Sequence, residues 1–325
     1  MRILQVNSAV QLGGGETHVL ELTHGLRRLR HDVVVAGRKG GAVKPDVVFP
    51  FLNAVDIGTV LGLRRLLKRE KFDIIHAHVA RDYPLVAAAA TGNRGKLVCT
   101  RHLLYPVKNL FLYERVDGWI APTRQILQTL APLKPRVTAV IPNWVDLVKF
   151  PFQPHPVHAP LLLGLLGQIS PHKGHDDAIE ALRLLGRGFQ LTIAGQGEPQ
   201  YVQSLKDKAA GLPVRFAGFV SLPEFFDMID VLLVPSWEEP FGLVLLEAMA
   251  SGIPVIASAA GGPLEIIRPG EGILVPPRDP KSLASAIRSV GGLSEDIAHE
   301  ARARVEKSFD FEGTIPKVEA FYRTL

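Results

Sequence analysis

Short apolar segments alternate with amphipathic helical ones along this chain, break off at a run of prolines, and then begin again. In the first half the strand-like segments are Ile3–Val6, Asp32–Ala36, Ile74–Ala77, Leu97–Arg101, Trp119–Ala121 and Val137–Ile141. Between the first two, Glu16–Arg30 places Val19, Leu22, Leu26 and Leu29 on one face at helical spacing. Apolar strands separated by such helices imply a parallel sheet covered on both faces. Pro142, Pro151, Pro154, Pro156 and Pro160 then mark a stiff linker. The alternation resumes at Leu161–Leu166, with strands at Gln190–Ala194, Val214–Phe216, Val231–Pro235, Val255–Ala257 and Ile273–Val275. Helices are expected near Asp176–Leu185, Pro199–Ala210, Leu222–Met228, Gly242–Ala250 and Pro280–Val290, followed by a helical tail from Ser294. The expected fold is α/β: two doubly wound Rossmann-like domains facing a cleft, residues 1–145 and 161–310, joined by a linker at 146–160. The final stretch, 311–325, is expected to return to the first domain. Ligands of such sheets bind outside the carboxyl ends of the strands.

Composition excludes several classes. The single cysteine, Cys99, rules out an internal disulfide and a cysteine-based zinc site, and its strand context predicts a buried apolar role. Met1–Val6 reads as a strand and not as a signal peptide. The soft apolar run Leu85–Ala90 is too short to span a bilayer, so a cytoplasmic chain is expected. Residues 1–145 carry 21 Lys/Arg against 10 Asp/Glu, a balance of +11, and the remainder carries −6. The basic excess gathers at Leu26–Arg30 and Leu63–Phe72. It predicts either solvated helix faces or a surface for anionic lipid or an anionic acceptor, peripheral on the inner face of a membrane. Aromatics are 7% and do not interleave with these basic residues, which argues against nucleic acid. His155, His158 and His172 have no carboxylate or cysteine framework, and no metal site or other cofactor is expected.

The segment Glu239-Pro-Phe-Gly-Leu-Val-Leu-Leu-Glu247 carries the strongest chemical signal. It lies between a buried strand and the next one, and opens an apolar helix. A strand, a loop and a helix N-terminus together hold a diphosphate. Glu247, about one turn into the helix, suits ribose hydroxyls, and Glu239, on the loop, suits a sugar. A nucleotide-sugar needs all three contacts. Gly13-Gly14-Gly15 follow the first strand and allow amides to approach a phosphate or sugar closely. A dinucleotide fingerprint would want glycine at His18 and an acid where Gly37-Arg38-Lys39 stand, which argues against NAD. In Gly167-Gln168-Ile-Ser-Pro-His172-Lys173-Gly174, Lys173 is a point charge suited to a diphosphate and Gln168 an amide donor. His102 ends the strand beginning at Leu97, and His76 and His78 are similarly placed, so these imidazoles are expected at the cleft. Asn143 and Asp146 read as the caps of a hinge.

With these residues in view, the chain resembles the retaining glycosyltransferases of the GT-B fold, of the group 1, family 4 type marked by a Glu-x7-Glu motif. The similarity runs along nearly the whole chain, and Glu239 and Glu247 match the motif in register. The resemblance implies that Glu247 binds the donor ribose and Glu239 the transferred sugar. Amides of Phe241, Gly242 and Leu243 would contact sugar and phosphate, Lys173 the diphosphate, and Gly14 and Gly15 the donor or acceptor side. His102 would lie near the reacting sugar. Three departures stand out. Gln168 replaces the usual Arg, Trp144 replaces the usual Gly of a Pro-Asn-Gly-Val-Asp segment, and the chain is short for the family. The implied reaction moves a sugar from a nucleoside diphosphate-sugar to an acceptor hydroxyl with retention. The implied acceptor is a lipopolysaccharide core, a lipid-linked glycan or another cell-surface glycan. The alternatives are a sugar-nucleotide epimerase or phosphorylase, a non-catalytic nucleotide-sugar-binding module and, from Arg38 and Lys39 alone, an NADP enzyme.

Overall fold

A computed structural model describes residues 1–108, 110–153, 157–290 and 294–325. The chain divides into two compact units, one formed by Met1–Trp144 with Phe311–Leu325 and the other by Val145–Asp310.

The first unit is built on β1 (Arg2–Val6), α1 (Gly14–Arg28), β2 (Asp32–Gly37), β3 (Val47–Val48), α2 (Ile57–Glu70), β4 (Ile74–Ala77), α3 (Tyr83–Ala90), β5 (Lys96–Thr100), β6 (Gly118–Ala121), α4 (Arg124–Gln128) and β7 (Thr138–Val140). All strands are parallel, in the order β3-β2-β1-β4-β5-β6-β7. Strand order reverses between β1 and β4, so the loops leaving these two strands diverge and open a crevice at their carboxyl ends. β3 is two residues long and carries no alternation that a sequence reading could detect.

The C-terminal helix belongs to this unit. It covers one face of the sheet, burying Phe311, Ile315, Val318, Phe321 and Tyr322 against Ile3, Ile74, Val98 and Ile120 of the strands and Leu22 and Leu26 of α1. Burial of each such side chain contributes about 1.5–3 kcal/mol over leaving it exposed. Leu29, expected on the buried face of α1, is 38% exposed. The helix has ended at Arg28, and Leu29 caps it outside the periodic stripe.

The second unit contains β8 (Leu161–Leu166), α5 (His175–Leu185), β9 (Phe189–Ala194), α6 (Pro199–Lys208), β10 (Val214–Gly218), α7 (Leu222–Phe226), β11 (Val231–Val234), α8 (Leu243–Ser251), β12 (Val255–Ser258), α9 (Pro263–Ile266), β13 (Ile273–Val275), α10 (Pro280–Val290) and α11 (Ser294–Ser308). The returning helix of the first unit is α12 (Phe311–Arg323). The second sheet is also wholly parallel, in the order β10-β9-β8-β11-β12-β13, and reverses between β8 and β11.

The segment expected as a stiff linker lies against this unit. Leu147 and Phe150 pack on its core, the Gln153 amide donates to Ser251 O at 3.0 Å, and Arg302 bonds Phe150 O. Apolar side chains among the prolines give the segment a surface to bury, which proline spacing alone does not reveal. Pro154, His155 and Pro156 lie outside the described residues.

Candidate active site

In the second unit the site forms where strand order reverses. The loop after β8 carries Gln168 and Lys173, and the loop after β11 carries Glu239. Lys173 Nζ donates to Glu239 Oε2 at 2.7 Å. The Glu239 side chain is 10% exposed, against 27% for Lys173, and the Ser236 hydroxyl donates to the same carboxylate oxygen at 3.3 Å. Gln168 lines the same small recess but is itself exposed.

Two glycines permit this approach. Gly174 has φ +72°, and a Cβ there would lie 2.0 Å from Pro235 O, so the loop holding Lys173 can lie against the end of β11 only without a side chain. On the other side, a Cβ at Gly261 would lie 2.0 Å from Glu239 O, and the Gly262 amide donates to that same carbonyl at 2.8 Å. The Gly261-Gly262 turn thus props the loop that presents the carboxylate.

The Glu239 loop ends at Gly242, which caps α8 in the left-handed conformation. The Leu245 amide closes the first turn of α8 on Gly242 O at 3.0 Å, and the Leu243 and Val244 amides ahead of it sit at the positive end of the helix dipole. Phe241 turns its ring into the core, edge-on to Phe309 at 6.3 Å between centroids, so only its backbone is available to a ligand. Glu247 lies one turn into α8 and is half-buried. Beside the lysine loop, Trp237 Nε1 donates to Asp177 at 2.7 Å, and the Arg278 guanidinium stacks 4.3 Å over the indole. Nothing in the sequence pattern signalled this side wall.

In the first unit Gly14 and Gly15 form the opening turn of α1, which therefore starts two residues earlier than its apolar periodicity predicts. Helix-forming propensity argues against glycine there, and a Cβ on Gly15 would meet His102 Cδ2 at 3.9 Å, an ordinary van der Waals contact. His102 is half-buried just beyond β5. It is close to His18, with ring centroids 5.0 Å apart, and to His78, at 6.1 Å. Burial pushes the pKa of His102 down to about 4 and those of His18 and His78 well below the usual imidazole value.

His76 departs from expectation. It lies within β4, fully buried, with Nδ1 at 2.6 Å from the Tyr322 hydroxyl and Nε2 at 2.7 Å from Thr100 Oγ1. It pins α12 to the sheet and is not a site residue. Two residues on, His78 lies on the same side with its ring centroid 4.0 Å from that of His76, but beyond the strand's end. Trp144, at the end of the first unit, is buried against His18 at 4.4 Å and Phe311 at 6.4 Å between ring centroids. It fills space beside the imidazoles.

Comparison with known proteins agrees with these features. Residues 12–149 match the family described as Glycosyltransferase Family 4, and residues 149–307 match Glycosyl transferases group 1. A glycogen synthase of Mycobacterium tuberculosis is 30% identical, covering 96% of this chain and 92% of its own length. The chain belongs to this glycosyltransferase family. A phosphatidyl-myo-inositol mannosyltransferase of Mycobacterium leprae is 29% identical over 96% of this chain and 93% of that protein. The glycosyltransferase also shares its fold with Anabaena Alr3699/HepE, solved in complex with UDP-glucose. That structure superposes with a TM-score of 0.85 and 24% identity over 100% of both chains.

Of the residues singled out from the sequence of this glycosyltransferase, Gln168, Lys173, Glu239, Phe241, Gly242, Leu243 and Glu247 fall in the second unit, and Gly14, Gly15 and His102 in the first. Sequence reasoning passed over the Gly261-Gly262 prop, although a glycine pair separated by two residues from the end of β12 is a visible signal of close backbone approach. It also treated His18 only as the residue that spoils a dinucleotide fingerprint. Its position on the inner face of α1, one turn past the glycines, was the available clue.

Proposed function

We propose that the protein transfers a hexose from a nucleoside diphosphate-sugar to an acceptor hydroxyl with retention of configuration and without a metal. The observation that carries this reading is the meeting of Lys173, Glu239 and the N-terminal turn of α8 at one strand-order reversal. Lys173 and the α8 amides supply positive potential for the leaving diphosphate as charge develops on it. Glu239 takes hydroxyls of the transferred sugar, and Glu247 those of the ribose. With Gln168 in place of an arginine, the diphosphate relies on one lysine and the helix terminus. The reaction proposed is same-face attack, with the leaving phosphate accepting the proton. His102, neutral at pH 7, serves the reacting sugar through a hydrogen bond and not through charge.

The UDP-glucose complex of Anabaena Alr3699/HepE supports a nucleotide-sugar donor for this chain too. A glycan or lipid-linked acceptor fits the first unit, where Leu52, Val55 and Ile57 are exposed ahead of and at the start of the basic helix α2. This pairing supports contact with an anionic membrane surface. The other basic cluster contributes less, since Arg27 pairs with Asp46 and Arg28 with Glu312. No helix of the described residues is long and apolar enough to cross a membrane.

The test is to incubate the protein with UDP-, GDP- and ADP-hexoses and candidate acceptors, measuring nucleoside diphosphate release and the anomeric configuration of the product by NMR. Acceptor-dependent release of one nucleotide with a retained anomer is expected. Epimerised nucleotide-sugar, a sugar phosphate, or an inverted product would refute the reading.

A further inference from the structure

Three imidazoles of the first unit come together from three separate elements: His18 from α1, His78 from the loop after β4, and His102 from the loop after β5. Each offers a ring nitrogen, and these nitrogens lie within 4.8 Å of one another. His18 Nδ1, His78 Nδ1 and His102 Nε2 are buried and have no hydrogen-bond partner. Buried polar atoms are nearly always paired, so three orphaned nitrogens in one cluster call for a ligand they share. The neighbouring His76 is the contrast, with both ring nitrogens bonded within the fold.

The chemistry of the cluster is specific. His78 Nε2 lies 2.6 Å from Gln5 Oε1. A carbonyl oxygen can only accept, so Nε2 carries the proton and the buried, unpartnered Nδ1 is left as a lone pair. Such an outer partner is what orients metal-ligating histidines. Neutral imidazoles suit zinc, copper, nickel and cobalt, whereas magnesium, calcium and manganese prefer oxygen.

We infer that His18, His78 and His102 form a binding site for a divalent transition ion of the zinc class. Zinc–nitrogen bonds of about 2.0–2.1 Å place tetrahedral ligand nitrogens about 3.4 Å apart. The nitrogens therefore draw together by up to about 1.4 Å, within reach of side-chain rotations. Three protein ligands leave a fourth coordination position for water or an oxygen ligand. The sequence expectation of no metal had weighed only His155, His158 and His172, since nothing in the spacing of residues 18, 78 and 102 announces a shared centre. This site does not depend on the transfer reaction. Where His102 also serves the transferred sugar, as proposed above, ion and donor compete for it.

The experiment strips the full-length chain with a chelator, adds Zn2+, and measures affinity by competition with a chromophoric chelator and stoichiometry by elemental analysis. One ion per chain is expected, with affinity falling at least 100-fold in His18→Ala and His78→Ala. Replacing the exposed His24 and His299 should change it less than twofold. Circular dichroism checks that the variants fold. As a reading that needs no variant, Co2+ loading should produce the intense visible absorption of a four-coordinate nitrogen site, which excess Mg2+ does not displace. Substoichiometric Zn2+, affinity unchanged in folded His18→Ala and His78→Ala, or a weak six-coordinate Co2+ spectrum would overturn the inference. Because the ion is read directly, these outcomes stand whether or not the chain transfers a sugar.

Discussion

The Lys173–Glu239 pair should respond asymmetrically to the loss of either partner. Its contact distance is 2.7 Å, with side chains 27% and 10% exposed. Exposed ion pairs contribute about 0.2–1 kcal/mol, and breaking fully buried ones costs about 3–5 kcal/mol. Partial burial puts this pair between these limits, at a coupling of about 1–2 kcal/mol. Lys173→Ala strands the Glu239 carboxylate with the Ser236 hydroxyl at 3.3 Å and little access to water, so it should cost about 2 kcal/mol. In Glu239→Gln the ammonium can swing toward solvent on its flexible stem, so the cost should stay near 1 kcal/mol. Urea unfolding of the second unit in both single variants and the double variant provides the cycle, with m unchanged and only the midpoint shifted. A coupling below about 0.5 kcal/mol, or a greater cost for Glu239→Gln than for Lys173→Ala, would refute the argument. Calorimetry with the matching nucleoside diphosphate gives the functional counterpart: Lys173→Ala should weaken binding about tenfold or more, the scale of a charge-assisted hydrogen bond. Undiminished binding would remove Lys173 from the donor site.

Gly174→Ala should destabilise the second unit by at least about 2 kcal/mol and weaken nucleotide binding, because its Cβ meets Pro235 O at a positive φ; an unshifted urea midpoint would contradict this. Tyr322→Phe should cost about 1–3 kcal/mol in the first unit by leaving His76 Nδ1 buried without a partner, and thermal unfolding measures it. His175 is held neutral by burial, with its pKa lowered to about 4 from 6.5. Its unfolded form therefore binds more protons between these values, so the stability it contributes is full above about pH 6.5 and is lost as pH falls toward 4. The loss is at most about 3 kcal/mol. Urea midpoints of the second unit at pH 7 and pH 4.5 should differ accordingly, and the difference should shrink in His175→Gln.

Much of the fold was legible because each apolar run carries its own period. The strands at Ile74–Ala77, Leu161–Leu166 and Ile273–Val275 fall where the apolar pattern places them, and the others differ by one or two residues at their ends. The elements that escaped have physical reasons. β3 is too short for a period, and the opening turn of α1 is made of glycines, which carry no apolar period. The candidate site divides in the same way. Local spacing determined which residues in the stretch from Glu239 to Glu247 share a loop and a helix end, because eight residues bring the chain from a strand terminus through one turn of helix. Which side chains meet across loops was settled only in three dimensions. The pairing of Lys173 with Glu239 spans 66 residues of sequence, and the gathering of His18, His78 and His102 requires α1, β4 and β5 to be neighbours in one parallel sheet and its covering helix. Periodicity reports which face of an element is buried; only the strand order decides which buried faces touch.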